Sequence, residues 1–218
     1  MLIKPGEHVY LARLLSFLVL GEQLAHDCAR AQMNLASEPG MKKFLAGQAR
    51  QEGYHAVVFQ GASRWLAPRA PQCHDILEPM EQYRRNVMAA IGRQDFVETI
   101  IAEQIILEGL GEAILKILEK GLVKRGAPFQ TLRRTLIHQE EAHHAFGLRI
   151  INRMLARDEE SPTTLNQRAQ GYLSLAETLV FSAHDAFKAI DEDANYYWSA
   201  FQRNLPPWLQ PQNDVVAL

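Results

Sequence analysis

The chain has 218 residues, 47% of them hydrophobic, with 23 Lys and Arg against 25 Asp and Glu for a net charge of −2. Such a chain can bury one sizeable core, and nothing in its composition divides it, so a single domain is expected. No basic run is fit to track phosphates and the most apolar run, Leu14 to Leu20, is too short for a bilayer, which sets aside nucleic acid and membrane as partners.

The N-terminus lacks the basic region and small-residue cleavage site of a secretory signal. Two cysteines, Cys28 and Cys73, stand far apart with no paired spacing. That pattern suits a reduced, cytoplasmic protein in which each is a small hydrophobe.

Apolar residues at helical spacing (Leu11, Leu15, Leu18, Val19, Leu24 or Ala25, Ala29) predict an amphipathic helix from Glu7 to about Ala36, ended by Ser37-Glu38-Pro39-Gly40. A second helix is predicted from about Met41 to Leu66, with Phe44, Leu45, Val58 and Trp65 among its apolar positions. Pro68 and Pro71 end it. A crossover, Ala67 to Gln94, contains a helix of its own from Ile76 to Ile91. Asp95 can cap a third long helix, with Glu98 completing a capping box, that runs to about Leu122. After Gly126-Ala127-Pro128 a fourth helix runs from about Phe129 to Arg157. A fifth, with Ser161 as cap and Pro162 in its first turn, runs to about Ile190. The tail beyond Asp191 holds Tyr196, Tyr197, Trp198, Phe201 and Trp208, which read as a cover for one end of the bundle or as a homodimer contact rather than as a cofactor site. No segment alternates as a strand does, so the fold class is all-α.

Four of these helices carry carboxylates where core residues belong. On the fourth, Glu140 and His143 are nearly one turn apart, on a face with Leu136, Gly147, Ile150 and Met154. Burying such a pair without partners costs several kcal/mol, on the order of magnitude for buried charge, and a divalent metal compensates most completely. The second helix repeats the pattern with Glu52 and His55. Glu22 on the first helix and Glu108 on the third each sit among Leu and Ile at core spacing. Glu22 precedes Glu52 by 30 residues and Glu108 precedes Glu140 by 32, so one unit is written twice. Four glutamates and two histidines in this order are the ligand set of di-iron carboxylate bundles. Helical phase alone leaves Glu141 and His144 as an alternative register, and Glu103 or Glu112 as alternatives to Glu108.

The segment Glu140-Glu141-Ala142-His143-His144-Ala145-Phe146-Gly147 resembles the Glu-x-x-His-x-x-Phe-Gly of the ribonucleotide reductase small-subunit group, and residues from about His8 to Arg157 resemble a ferritin-like di-iron carboxylate protein. The resemblance implies a four-helix bundle whose second and third helices run parallel, joined by the long crossover, with a fifth helix and an extension added. It favours Glu140 with His143 and implies two iron ions, with manganese or a mixed pair as alternatives. Their ligands would be Glu22, Glu52, His55, Glu108, Glu140 and His143, with Glu52 or Glu140 bridging. It also implies dioxygen, a small organic substrate and an external electron donor as partners. Phe59 stands where the reductases of that group keep a radical tyrosine, which points to oxidase or oxygenase chemistry instead. Tyr54 reads as a packing residue beside the site, and His26 as either a hydrogen-bond donor to Glu22 or a half-buried histidine. Gly109 and Gly111, each costing about 1 kcal/mol in a helix interior, suggest close helix approach, a local bulge or room for substrate. A non-catalytic iron-handling or rubrerythrin-like protein, and a metal-free partner-binding bundle, are the competing readings.

Overall fold

The computed structural model describes residue 4 and residues 6–69 and 74–210, and every regular element among them is helical. Cys73 lies outside the described residues. None of the described helices is long and apolar enough to cross a membrane.

Helix α1 (Glu7–Leu35) and helix α2 (Pro39–Leu66) are separated by three residues and form a hairpin with extensive mutual contact. Pro39, expected to stop α1, occupies the first turn of α2, where its missing N–H costs nothing. Ser16 meets Ser63 and Glu22 meets His55, so residue numbers rise along α1 as they fall along α2. Leu24, Ala25, Cys28 and Ala29 are buried along this seam. Trp65 does not join them. It is 75% exposed, on the outer face of a last turn whose inner face buries Ser63 and the following Ala67.

After α3 (His74–Gly92) a continuous helix spans residues 96–124 in three stretches: α4 (Phe96–Ile100), a π-helical turn (Ile101–Leu107) and α5 (Glu108–Lys124). The π turn is not foreseen by a 3.6-residue period. Within it the Glu108 N–H reaches the Glu103 carbonyl, five residues back. Tyr83 of α3 donates to the Ala102 carbonyl at 2.6 Å, giving that buried group a partner. Asp95 caps the helix by accepting from the Glu98 N–H at 3.0 Å. The expected reciprocal half of a capping box is absent, since the Glu98 carboxylate holds Arg93 and Tyr172 instead.

Helix α6 (Gln130–Ala156) returns along α5, with Glu119 meeting Arg133, Glu112 meeting His144, and Gly147 against Gln104. It also runs opposite to α2, since Gln51 meets His143 and His55 meets Gln139. Helices α2 and α5 therefore run in the same direction, which a short loop cannot achieve; the crossover through α3 meets that need. Ser161 caps α7 (Pro162–Ser182) as expected. The predicted extension of this helix to Ile190 is broken at Ala183, whose backbone turns so that α8 (His184–Ala189) can bury Phe187 against its neighbours. Helix α9 (Ala194–Asn204) lays Tyr197, Trp198 and Phe201 into the core of the same chain.

Candidate metal centre

Among the described residues, two overlapping sets of buried side chains bring potential ligand atoms within 4.8 Å of one another: Glu22, Glu52, His55 and Glu140, and Glu52, Glu108, Glu140 and His143. Each of α1, α2, α5 and α6 contributes, and the two Glu-x-x-His pairs come from α2 and α6. Either set could hold a metal ion. Glu52 and Glu140 are common to both, whereas the resemblance implied one bridging carboxylate.

Glu52 is divided between the imidazoles. Its Oε2 lies 3.0 Å from His55 Nδ1 and its Oε1 2.7 Å from His143 Nδ1. His55 Nδ1 is also 3.0 Å from Glu140 Oε1 and 3.3 Å from Glu22 Oε2, and His143 Nδ1 is 3.5 Å from Glu108 Oε2. Both Glu52 oxygens, Glu140 Oε1 and His143 Nδ1 are buried yet make no hydrogen bond of proper geometry. Close approach without that alignment is what converging lone pairs produce. A cation among them satisfies them together, so the donor set fits divalent metal.

Two glutamines fix the imidazoles. Gln51 Oε1 is 2.8 Å from His143 Nε2, and Gln139 Oε1 is 2.8 Å from His55 Nε2. With Nε2–H donating outward, each Nδ1 is the nitrogen that faces the carboxylates. The pairing is crossed, because each glutamine directly precedes the glutamate of one motif and holds the histidine of the other. A Gln before both Glu-x-x-His pairs is a sequence signal that the ligand reading passed over. Behind Glu108, Gln48 Nε2 donates to Oε1 at 2.5 Å, Gln104 donates to Gln48, and Gln32 and Gln104 exchange amide hydrogen bonds.

Electrostatics show what the cluster does without metal. Burial works against a charge on His143, but Glu108 and then Glu52 outweigh it and hold the imidazole up at about 11. His55 is raised likewise, against burial, by Glu140, Glu22 and Glu52. Burial, then the Glu108 charge, lifts Glu140 to about 8, and burial and Glu140 raise Glu22. Burial acts to raise Glu52 too, yet its two imidazole partners bring it below its usual value. Protons therefore stand where cations would, and a metal bound there would have to displace them.

The neighbouring residues separate the two registers. Glu140 and His143 lie in the cluster; Glu141 is half-buried and pairs with Lys116 at 2.7 Å. His144 lies 2.8 Å from Glu112, whose other oxygen takes Lys116, so neither His144 nor Glu112 belongs to the two sets. Glu103 is fully buried, no N–H or O–H donor reaches its oxygens, and burial with the nearby Glu108 charge pushes its carboxyl well up. The π turn brings it beside Glu108. His26 pairs with Asp27, not with Glu22. Tyr54 is 56% exposed rather than packed, since two residues past Glu52 the helix has turned it to solvent. The glycines do mark close approach: a Cβ on Gly109 would stand 3.3 Å from His144 Nε2, and one on Gly111 3.3 Å from Glu140 Oε2.

Two cavities adjoin the cluster. A small one, about 40 Å³, is lined by apolar residues of α1, the π turn and α5, including Phe17, Leu107 and Ile114, and touches Glu22, Glu108 and Glu140. A large cleft of about 1380 Å³ opens between α2 and the α5–α6 pair and touches His143, Gln51 and Gln139.

No protein-family model matches the chain, and no curated protein matches it.

Proposed function

We propose that this chain is a di-iron oxidase or oxygenase built on a ferritin-like bundle. The observation that carries the reading is Glu52, whose two oxygens face two different histidines while Glu140 joins both ligand sets. In this reading His55 and Glu22 hold one metal, His143 and Glu108 the other, and Glu52 and Glu140 are shared. A set of hard carboxylates with one imidazole per metal suits iron or manganese better than copper. Iron bound there supplies the electrons that reduce dioxygen.

The chain's own groups do the rest. Gln51 and Gln139 keep each Nδ1 directed inward, where each imidazole would give up its proton on metal loading. The complete burial of Glu52 and His55 keeps bulk water from the shared carboxylates. The small apolar cavity touches Glu22, Glu108 and Glu140 but neither histidine, and its volume is on the scale of one water-sized molecule. That leaves a small, mostly apolar space of a size for dioxygen beside the carboxylates, away from the imidazoles.

Metal analysis of protein reconstituted with ferrous iron, followed by oxygen uptake from the reduced form, tests the reading. Two irons per chain and consumption of dioxygen are expected. One metal or none after reconstitution would overturn the di-iron centre; two irons without repeated turnover under any reductant would leave an iron-handling protein.

A further inference from the structure

The large cleft has a charge that the sequence order conceals. Its walls carry five Lys and Arg side chains against two carboxylates, Glu119 and Glu141. Both carboxylates are already engaged. Glu119 accepts from Arg133, which is not part of the cleft, and Glu141 is held by Lys116, which Glu112 also neutralises. Lys43 and Arg50 on α2, Lys120 on α5 and Arg134 on α6 have no carboxylate partner among the described residues. Four cations thus face one concavity from both walls. Solvated helix faces scatter such charges and pair many of them; here the paired Lys116 is half-buried and the four unpaired side chains are exposed.

The floor has the same preference. Gln51 and Gln139 use their Oε1 atoms on His143 and His55, and among the described residues their amide NH2 groups have no hydrogen-bond acceptor. Anionic oxygens accept from such groups. The wall also includes Gly47, inside α2, where a Cβ would meet nothing within 4 Å. A glycine in a helix interior costs about 1 kcal/mol relative to alanine, and no protein packing requires this one. It does leave the cleft wider, as Gly40 does. A volume of about 1380 Å³ exceeds what a drug-sized molecule fills, whereas the small apolar cavity has no room for an organic molecule.

We infer that this cleft binds a small organic polyanion, carrying phosphate or carboxylate groups, with Lys43, Arg50, Lys120 and Arg134 as its charge partners and the Gln51–Gln139 floor as its inner end. The inference that this polyanion is the organic reactant of the centre, approaching from the imidazole side, rests on the di-iron reading. The binding site itself does not.

The test is calorimetric titration of the full-length, metal-loaded chain at 0.15 M salt with phenyl phosphate, isophthalate and neutral benzyl alcohol. Saturable binding of at least one anion is expected, at least ~10-fold tighter than benzyl alcohol, and the two anions distinguish phosphate from carboxylate recognition. Arg50→Gln with Arg134→Gln should weaken it at least ~10-fold, and Lys43→Gln with Lys120→Gln should do likewise. Arg64→Gln, on α2 but outside the cleft, should leave it unchanged. Because the altered side chains are exposed, metal content and melting temperature should match the parent, which separates lost binding from lost folding. No saturable binding of either anion, or equal affinity in both double variants, overturns the inference even where two metals are present. A chain that binds the anion in the cleft but holds no metal overturns the di-iron reading and leaves the cleft standing.

Discussion

His143 donates its Nε2–H to Gln51 Oε1 at 2.8 Å, and this one hydrogen bond decides which imidazole nitrogen meets the carboxylates. Replacing Gln51 by Leu removes the acceptor while keeping a similar volume. Metal affinity should fall by roughly 10- to 100-fold, the usual cost of losing an outer hydrogen bond to a ligand, with two metals still bound at saturation. Competition with a chelator measures it. An unchanged affinity would mean that the amide does not orient the ring.

Deleting the ring itself should cost more. His143→Ala removes Nδ1 from the set with Glu108, so one metal should be lost or bound far more weakly. His144→Ala, whose ring partners Glu112 outside both sets, should retain two. Metal counts by mass spectrometry distinguish them. The reverse result would transfer the site to Glu141 and His144, and no effect from either substitution would sink the metal centre.

The metal-free protein should lose stability as pH rises. Glu140 moves from 4.5 to about 8 in the fold, so its contribution is full below 4.5 and is lost as pH climbs to 8. His143 has the same sign: raised from 6.5 to about 11, it stabilises fully below 6.5 and loses this as pH approaches 11. Between pH 5 and 9 the melting temperature of metal-free protein should fall. Metal competes with these protons, so the gap between loaded and metal-free protein should widen over the same range. Scanning calorimetry checks both, and a flat metal-free profile would contradict the proton-filled cluster.

Gly147→Ala should destabilise the fold with or without metal. A Cβ there would lie 2.5 Å from Gln104 Cβ and 3.2 Å from Ile105 Cδ1, where α6 crosses the π turn. Overpacking of this kind costs about 1–3 kcal/mol. Since Gln104 is also tied to Gln32 and Gln48, the displacement should reach Glu108 and weaken metal binding as well. A melting temperature equal to the parent's would show that α6 can move aside freely.

Phe59 is buried one turn past His55, and Tyr54 faces solvent. Iron-loaded protein exposed to oxygen is therefore expected to show no persistent tyrosyl signal by electron paramagnetic resonance. A stoichiometric signal would restore the reductase-like reading.

The order of the helices, their caps at Asp95 and Ser161, and the carboxylates and imidazoles on their inner faces are written in local sequence, because each depends on neighbours within a turn or two. Glu52 with His55 and Glu140 with His143 could be read for that reason. Helical phase could not choose between His143 and His144, which differ by about 100° on one helix; packing sets His143 in the buried cluster and places Glu112 and Lys116 beside the second register. The π turn lay beyond a periodic reading because a 3.6-residue pattern does not register its wider turn; the Tyr83 hydroxyl from another helix serves the Ala102 carbonyl there, and the turn itself sets Glu103 beside Glu108. Gln51 and Gln139 sat in plain view before each motif, but their crossed hydrogen bonds exist only once α2 and α6 run antiparallel. The four cleft cations with no carboxylate partner among the described residues lie on three helices and up to 91 residues apart, from Lys43 to Arg134. Charge adds up in space rather than along the chain, so only the tertiary structure could gather them.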